Sequence, residues 1–315
     1  MNIRLQAARV SRITRETDNV ISIELNPAEG QTFAAFEPGA HIDVHLPNGL
    51  VRSYSLMSTS GASSHYRLGV LLDRHSRGGS AFIHRHLRVG LRFNVSIPRN
   101  NFPVTQASRA VLVAGGIGIT PLLGMARQLA DQGAAVDFLY CARSEREMAF
   151  RQELHALAGN ITYHFDDVHG AAPDLLAYLG KYPAHTHAYC CGPAPMLAAF
   201  EHACKELGLE HCHVERFSGG LPTVQQGGGY EVVLARSGRQ LFHAGHGSLI
   251  DTLVAAGQTV SYSCREGVCG ACETVVLEGT PEHRDFVLSP AEQASGKTMM
   301  ICVSGCKTPR LVLDL

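Results

Sequence analysis

The chain has no tryptophan and no excess of charge: 27 Lys plus Arg stand against 28 Asp plus Glu, a formal net charge of -1. That balance excludes non-specific binding to nucleic acid and a polybasic attachment to a membrane surface. Long hydrophobic runs are also missing. The longest stretches without Lys, Arg, Asp or Glu, Ala110 to Ala126 and Tyr182 to Phe200, are broken by glycine, proline and histidine. Neither offers the roughly 20 consecutive apolar residues of a membrane span. The opening MNIRLQAARVSR has charges but no apolar segment, so no secretory signal is expected and the cytoplasm is the expected compartment. Several catalytic signatures are absent. There is no H-E-x-x-H, no G-x-S-x-G, and no C-x-H followed by C-x-x-H. Zinc-peptidase, serine-hydrolase and Rieske chemistry within this chain are therefore not expected.

What is present is enough for globular cores. Apolar residues make up 45% and charged residues 17% of 315, too long a chain for one ordinary core. Residues 1–102 read as short apolar and β-branched runs separated by turn residues such as Pro47-Asn48-Gly49, with one helix over Ala81 to Leu87. That pattern predicts an antiparallel β-barrel. From about Ala107 the pattern becomes strand–helix alternation: Ala110 to Ala114, helix Pro121 to Asp131, Asp137 to Cys141, helix Glu147 to Ala158, and onward to a helix near Pro195 to Leu207. This predicts a parallel sheet covered on both faces, over 103–225. FSGGLPTVQQGGGY, Phe217 to Tyr230, has no charge and reads as a linker. A third unit, 226–315, opens with a hairpin around Arg236 to Arg239 and a helix capped by Ser248.

Ten cysteines in such a chain point to metal or redox work. Cys264, Cys269 and Cys272 are spaced C-x4-C-x2-C, and Cys302 follows after 29 residues. This is the plant-type spacing for a [2Fe–2S] cluster, in which each iron takes two thiolates. A four-cysteine zinc site would show two short pairs, and only one appears. Gly267 and Gly270 permit the tight turns that the loop needs. Cys306 reads as a spare, packed thiol. Cys141, Cys190, Cys204 and Cys212 fit no ligand spacing and read as core or near-surface thiols.

Two glycine turns carry the second pattern. Val111 to Ala114 leads into Gly115-Gly116-Ile117-Gly118-Ile119-Thr120-Pro121. Thr120 is expected to cap the next helix, with Pro121 in its first turn, leaving open N–H groups toward a pyrophosphate. Pro121 replaces the third glycine of G-x-G-x-x-G, and Arg143 stands after the second strand where an acidic ribose ligand is usual. Arg143 could meet either an adenine ribose or a 2′-phosphate. Cys191-Gly192-Pro193-Ala194-Pro195-Met196 follows a later apolar strand. Cys191, Gly192, Pro193 and Met196 leave room for a flat ring at its end. Earlier, Arg52-Ser53-Tyr54-Ser55 lies on a barrel strand, and Arg77-Gly78-Gly79-Ser80 precedes the barrel's helix. An arginine and a helix start suit a phosphate, and a tyrosine suits an aromatic ring system.

SYSCREGVCGACET, Ser261 to Thr274, resembles the cluster loop of plant-type ferredoxins. More narrowly, the chain resembles the phthalate dioxygenase reductase and vanillate O-demethylase reductase family, within the ferredoxin–NADP reductase superfamily. GGIGITP and CGPAPM resemble that superfamily's nicotinamide-binding half, and Arg52 to Ser55 its R-x-Y-S flavin motif. The resemblance implies a flavin barrel, a nucleotide domain and a β-grasp-like ferredoxin domain in that order, over the whole chain. It implies FMN in preference to FAD, NADH, and a [2Fe–2S] cluster, with Phe217 as the aromatic that covers the flavin. No side-chain acid or base is expected for hydride transfer. The implied function is the reductase component of a Rieske-type oxygenase or O-demethylase, delivering electrons to a separate oxygenase chain. A stand-alone flavin or ferric reductase is the alternative, and there the ferredoxin unit would have no role.

Overall fold

The computed structural model describes residues 4–58, 65–74, 76–157, 160–219 and 228–315. The chain forms two compact units, Ile3–Arg216 and Phe217–Leu315. Most of the linker expected at Phe217 to Tyr230 lies outside the described residues.

The first part of the larger unit is an antiparallel sheet. Its strands are β1 (Leu5–Arg15), β2 (Val20–Pro27), β3 (Ala40–His45), β4 (Val51–Ser55), β5 (Tyr66–Leu71), β6 (Arg92–Ser96) and β7 (Arg99–Asn100), with helix α1 (Gly79–His86) after β5. The order is β4-β3-β6-β1-β2-β5, with β7 pairing β3. A bridge between Leu56 and Leu68 joins the two edges, so the sheet curls into a barrel. Alternate residues of each strand face inward. Val10, Leu25, Ile42, Leu56, Leu68 and Val95 make one buried core, and Tyr66 stacks on Phe33 there with ring centroids 4.1 Å apart.

The second part is a parallel sheet of β8 (Arg109–Gly115), β9 (Ala135–Ala142), β10 (Asn160–Phe165), β11 (His187–Cys191) and β12 (His211–Glu215), in the order β10-β9-β8-β11-β12. Its helices are α2 (Ile119–Asp131), α3 (Arg151–His155), α4 (Asp166–His169), α5 (Leu175–Leu179) and α6 (Ala194–Leu207). Both faces of β8 are buried. Ala110, Leu112 and Ala114 belong to the core under α2, while Val111 and Val113 pack with Leu175, Leu197 and Phe200 from α5 and α6. Double burial is why β8 reads as an unbroken apolar run rather than an alternation.

One helix differs from its expected extent. In place of a continuous helix from Glu147 there is a 3-10 turn at Glu145–Glu147 and then the short α3, and the expected end at Ala158 lies outside the described residues. Phe150 separates them in the left-handed region, φ 59. Its buried ring, with the Arg67 guanidinium 5.5 Å from its centroid, is worth more than continuing the helix.

The smaller unit contains β13 (Tyr230–Leu234), β14 (Arg239–His243), α7 (Leu249–Ala255), β15 (Glu273–Glu278), β16 (Pro281–Glu282), α8 (Pro290–Ser295), β17 (Thr298–Met300), β18 (Gly305–Cys306) and β19 (Arg310–Leu313). The main sheet runs β14-β13-β19-β15-β17. β13 and β14 are the expected hairpin, and β13 lies parallel to β19. Ser248 caps α7, accepting from Ile250 N at 3.2 Å. Leu249, Ile250 and Leu253 pack α7 onto the sheet with Val232, Leu234 and Leu311, the β-grasp arrangement. Among the described residues no helix is long and apolar enough to cross a membrane.

Candidate cofactor sites

The nucleotide loops interlock at the carboxyl ends of β8 and β11, neighbours in register with Ala114 opposite Cys191. Strand order reverses here, where open parallel sheets bind their ligands. A Cβ on Gly118 would lie 2.1 Å from the Cys191 carbonyl oxygen, and one on Gly115 would lie 2.7 Å from both Met196 Sδ and Pro193 Cδ. Gly192 meets Met196 Sδ at 2.8 Å in the same way. These glycines let two backbones pack directly together. Gly116 is different: its φ is +54 and a Cβ there would meet nothing within 4 Å. Open space beside a glycine turn at the head of a helix fits a pyrophosphate.

Thr120 does not cap the helix. α2 begins at Ile119 after a 3-10 turn over Gly116–Gly118. The buried Thr120 hydroxyl instead donates to Ile117 O at 2.9 Å, and Pro121 is buried beside it. The tight turn starts the helix two residues earlier than the sequence pattern does. Tyr140, not foreseen from the sequence, donates from its hydroxyl to Gly116 O at 3.2 Å and Ala149 O at 3.0 Å, fixing the turn from below. Arg143 is exposed just past the end of β9.

The R-x-Y-S residues divide by strand alternation. Ser53 donates to Asp43 at 2.7 Å, and Asp43 is ion-paired to Arg99 at 2.7 Å. Desolvation opposes the charge on buried Asp43, but Arg99 and Ser53 outweigh it and hold its carboxyl below the usual range. Ser53 thus braces β4 through Asp43. Arg52 extends to the start of α1. Its guanidinium donates to Arg77 O at 2.9 Å, and a Cβ on Gly79 would strike Arg52 Cγ at 2.6 Å. Gly78, φ 92, is the N-cap, and Ser80 Oγ bonds Ser76 Oγ at 2.9 Å. A guanidinium across a helix start fits a phosphate monoester such as that of FMN. Tyr54 is half-buried, and burial raises its pKa, so its ring stays a neutral aromatic surface.

Ser55 leads to a residue that the sequence reading passed over. Ser55 Oγ and Glu215 Oε2 are buried with no hydrogen-bond partner among the described residues. Burial pushes the Glu215 carboxyl up to about 8, and the nearby Ser55 hydroxyl draws it the other way. Glu215 is the register partner of Cys191. Burial first, then Glu215 and Cys190, push the Cys191 thiol well above its usual value. Ser55 from the barrel and the Cys191–Glu215 pair from the parallel sheet thus make a neutral, dry polar corner beside the CGPAPM loop. Unsatisfied buried polar atoms at such a place fit the polar edge of a bound ring system. The one signal in the sequence was Val214-Glu215-Arg216-Phe217, read for its aromatic. Phe217 itself is 43% exposed and belongs to the smaller unit.

In the smaller unit the four cysteines form two thiol pairs, Cys264 with Cys269 and Cys272 with Cys302. The second pair spans 29 residues because β15 and β17 place Glu273 opposite Met300. Cys269, Cys272 and Cys302 are buried. Glu266 N donates to Cys264 Sγ at 3.3 Å and Cys264 N to Cys269 Sγ at 3.5 Å. The Cys269 thiol, with backbone N–H groups of Glu266, Val268 and Cys269, holds Cys264 down to about 6 against burial. Gly267, φ +70, lies so close to Val303 that a Cβ would meet its Cγ2 at 2.7 Å. Arg265 also has positive φ, 60, strain held by its ion pair to Asp251 at 3.0 Å and its stacking over Tyr262. Among the described residues no group of three or more His, Cys, Asp or Glu is arranged to hold a single metal ion. Two thiol pairs with N–H groups aimed at sulfur fit a two-iron cluster, which takes two thiolates per iron. Cys306 is half-buried on β18, its sulfur 3.1 Å from Thr308 Oγ1, as a spare thiol would be.

Comparison with known proteins agrees with this geometry. Residues 233–307 match the family described as 2Fe-2S iron-sulfur cluster binding domain, and residues 100–214 match the dimethylamine monooxygenase subunit DmmA-like N-terminal domain. The chain is 44% identical over 308 residues to phenoxybenzoate dioxygenase subunit beta of Ectopseudomonas oleovorans, covering 98% of this chain and 96% of that protein. It is 40% identical to a vanillate O-demethylase oxidoreductase of Pseudomonas sp. (strain HR199 / DSM 7063), covering 97% and 98%. The structure of phthalate dioxygenase reductase, described as a modular structure for electron transfer from pyridine nucleotides to [2Fe-2S], superposes with a TM-score of 0.72. The identity there is 33%, over 99% of this chain and 98% of that one. With a flavin barrel, a nucleotide sheet and a ferredoxin unit in one chain, this protein belongs to the phthalate dioxygenase reductase and vanillate O-demethylase reductase family, oxidoreductases that use FMN, NADH and a [2Fe-2S] cluster.

Proposed function

We propose that this chain is the reductase component of a Rieske-type oxygenase or O-demethylase system, oxidising NADH and delivering electrons singly to a separate oxygenase chain. The observation that carries the reading is the presence in one chain of the paired glycine loops and the paired cluster thiols, while no motif for oxygen activation occurs. The flavin supplies the exchange between a two-electron donor and a one-electron acceptor. The chain supplies binding, orientation and a dry site.

The proposed divisions are 1–102 for the flavin domain, 103–225 for the nucleotide domain and 226–315 for the ferredoxin domain. Arg52 and the start of α1, with Arg77, Gly78, Gly79 and Ser80, hold the FMN phosphate. Tyr54 and Ser55 face the ring. Gly115, Gly116 and Gly118 admit the pyrophosphate, with Thr120 and Pro121 packed behind them, and Arg143 lies toward the adenine ribose. Cys191, Gly192, Pro193 and Met196 leave room for the nicotinamide. Neutral Cys191 and Glu215 would place no charge beside a bound nicotinamide and would exclude bulk water from it. Cys264, Cys269, Cys272 and Cys302 ligate the cluster.

The test uses the full-length protein. It should reduce a dye with NADH by itself and turn over no aromatic substrate until a purified Rieske oxygenase is added. Turnover of such a substrate with oxygen by the lone chain would overturn the reading. Equal activity whether or not any oxygenase is present would favour a free flavin or ferric reductase.

A further inference from the structure

Two cysteines outside the cofactor sites stand against each other. Cys204 is in the last turn of α6 and Cys212 is the second residue of β12. Between them the chain reverses at Gly208, whose φ is 63, with Leu209 N donating to Cys204 O at 2.9 Å. That helix C-cap lays β12 back along the end of α6. The Arg216 guanidinium, at 2.7 Å from both oxygens of Glu201 on α6, fixes the far end of the strand in the same register. The result brings the Cys204 and Cys212 thiols into interaction range of each other.

The two thiols are unlike. Cys204 is 3% exposed, packed among Phe200, Cys190 and Leu209. Cys212 is exposed, its sulfur a long 3.7 Å from Leu209 O. The interaction with Cys212, then burial, raises the Cys204 pKa, and the same interaction lowers that of Cys212. An accessible thiol beside a buried partner is the arrangement of a peroxide-sensitive pair. Among the other cysteines outside the cluster, Cys141, Cys190 and Cys191 are buried and their pKa values are raised.

We propose that Cys204 and Cys212 are an oxidation site, closing to a reversible disulfide when the protein meets hydrogen peroxide. The Cys212 thiolate attacks one peroxide oxygen; an S–O bond forms, the O–O bond breaks, and the leaving hydroxide takes a proton to become water. Cys204 then gives up its proton and attacks the sulfenic sulfur. The S–S bond forms, the S–O bond breaks, and a second water leaves. The two thiols lose two electrons and the peroxide gains them. A dithiol reductant reverses the step by exchange. Peroxide is what oxygen becomes on taking two electrons from a reduced flavin, so a flavoprotein starved of its acceptor makes its own oxidant. The disulfide ties the end of α6 to the start of β12, the two elements that lead from the CGPAPM loop and to Glu215.

The experiment is peptide mapping of the full-length holoprotein after brief peroxide treatment, with free thiols then blocked by iodoacetamide. The expected product is one linked peptide pair containing Cys204 and Cys212, removed by dithiothreitol and formed at least ~10-fold faster than any oxidation of Cys306. In Cys212→Ser, Cys204 should remain a thiol. In Cys204→Ala, Cys212 should run on to the sulfinic acid without a link. The wild-type map decides the matter even if a variant folds poorly. A Cys212 that reaches sulfinic acid unlinked in the wild type, or that is still alkylated after peroxide, overturns the proposal, as does a different cysteine pairing.

Discussion

A Cβ on Gly118 would stand 2.1 Å from the carbonyl oxygen of Cys191, so the two nucleotide loops are in backbone-to-backbone contact. Neither loop can be altered there without moving the other, because the obstacle is main chain rather than a flexible side-chain tip. Gly118→Ala should therefore raise the KM for NADH by about tenfold or more and lower the thermal midpoint of the larger unit. Gly116→Val acts differently. Its Cβ enters open space at φ +54, so the fold should survive with a backbone cost of about 1 kcal/mol while NADH binding suffers. Steady-state kinetics beside thermal unfolding separate the two. Unchanged NADH kinetics in both variants would move the nucleotide site elsewhere.

Arg52→Ala removes the guanidinium that crosses the start of α1. FMN should bind roughly 10- to 100-fold more weakly, since a charge-assisted contact to phosphate is worth about 1.5–3 kcal/mol. Equilibrium dialysis against free FMN measures this directly. Ser53→Ala should instead cost stability through Asp43, with little effect on FMN affinity.

The thiol pairs give a sharp contrast. Cys272→Ser and Cys302→Ser should bleach the visible iron–sulfur absorption while NADH-dependent dye reduction persists. Cys306→Ser should leave the spectrum intact. If Cys306 proved essential and Cys302 dispensable, the ligand assignment would be wrong.

Glu215 predicts a pH dependence with a definite sign. Its folded pKa, about 8, lies above the ordinary 4.5, so native protein holds a proton that the unfolded chain releases. The stability contributed by the neutral carboxyl is full below about pH 4.5 and is lost as pH rises toward 8, by an amount on the order of a few kcal/mol. Urea midpoints of the flavin-free protein should fall across that window, and Glu215→Gln should flatten the fall. A Gln variant as pH-sensitive as the wild type would show that Glu215 ionises normally.

Much of the candidate site was legible because its signals are local. Cys264, Cys269 and Cys272 lie within nine residues, and the glycines of GGIG and CGPAPM mark close approaches that any neighbour would demand. The Thr120 cap and the long helix from Glu147 went astray because a 3-10 turn and the buried Phe150 outweighed local propensity.

The sequence by itself determined the three successive patterns, the cluster spacing and the two nucleotide loops, since each depends on residues a few positions apart whose backbone needs are short-ranged. Only the tertiary structure decided that Ser55 meets Glu215 across the barrel and the sheet, that Tyr140 holds the Gly116 turn, and that Cys204 faces Cys212. Those pairings follow from strand register and helix packing. The energy that sets them is spread over whole apolar faces, not carried by the residues that finally touch.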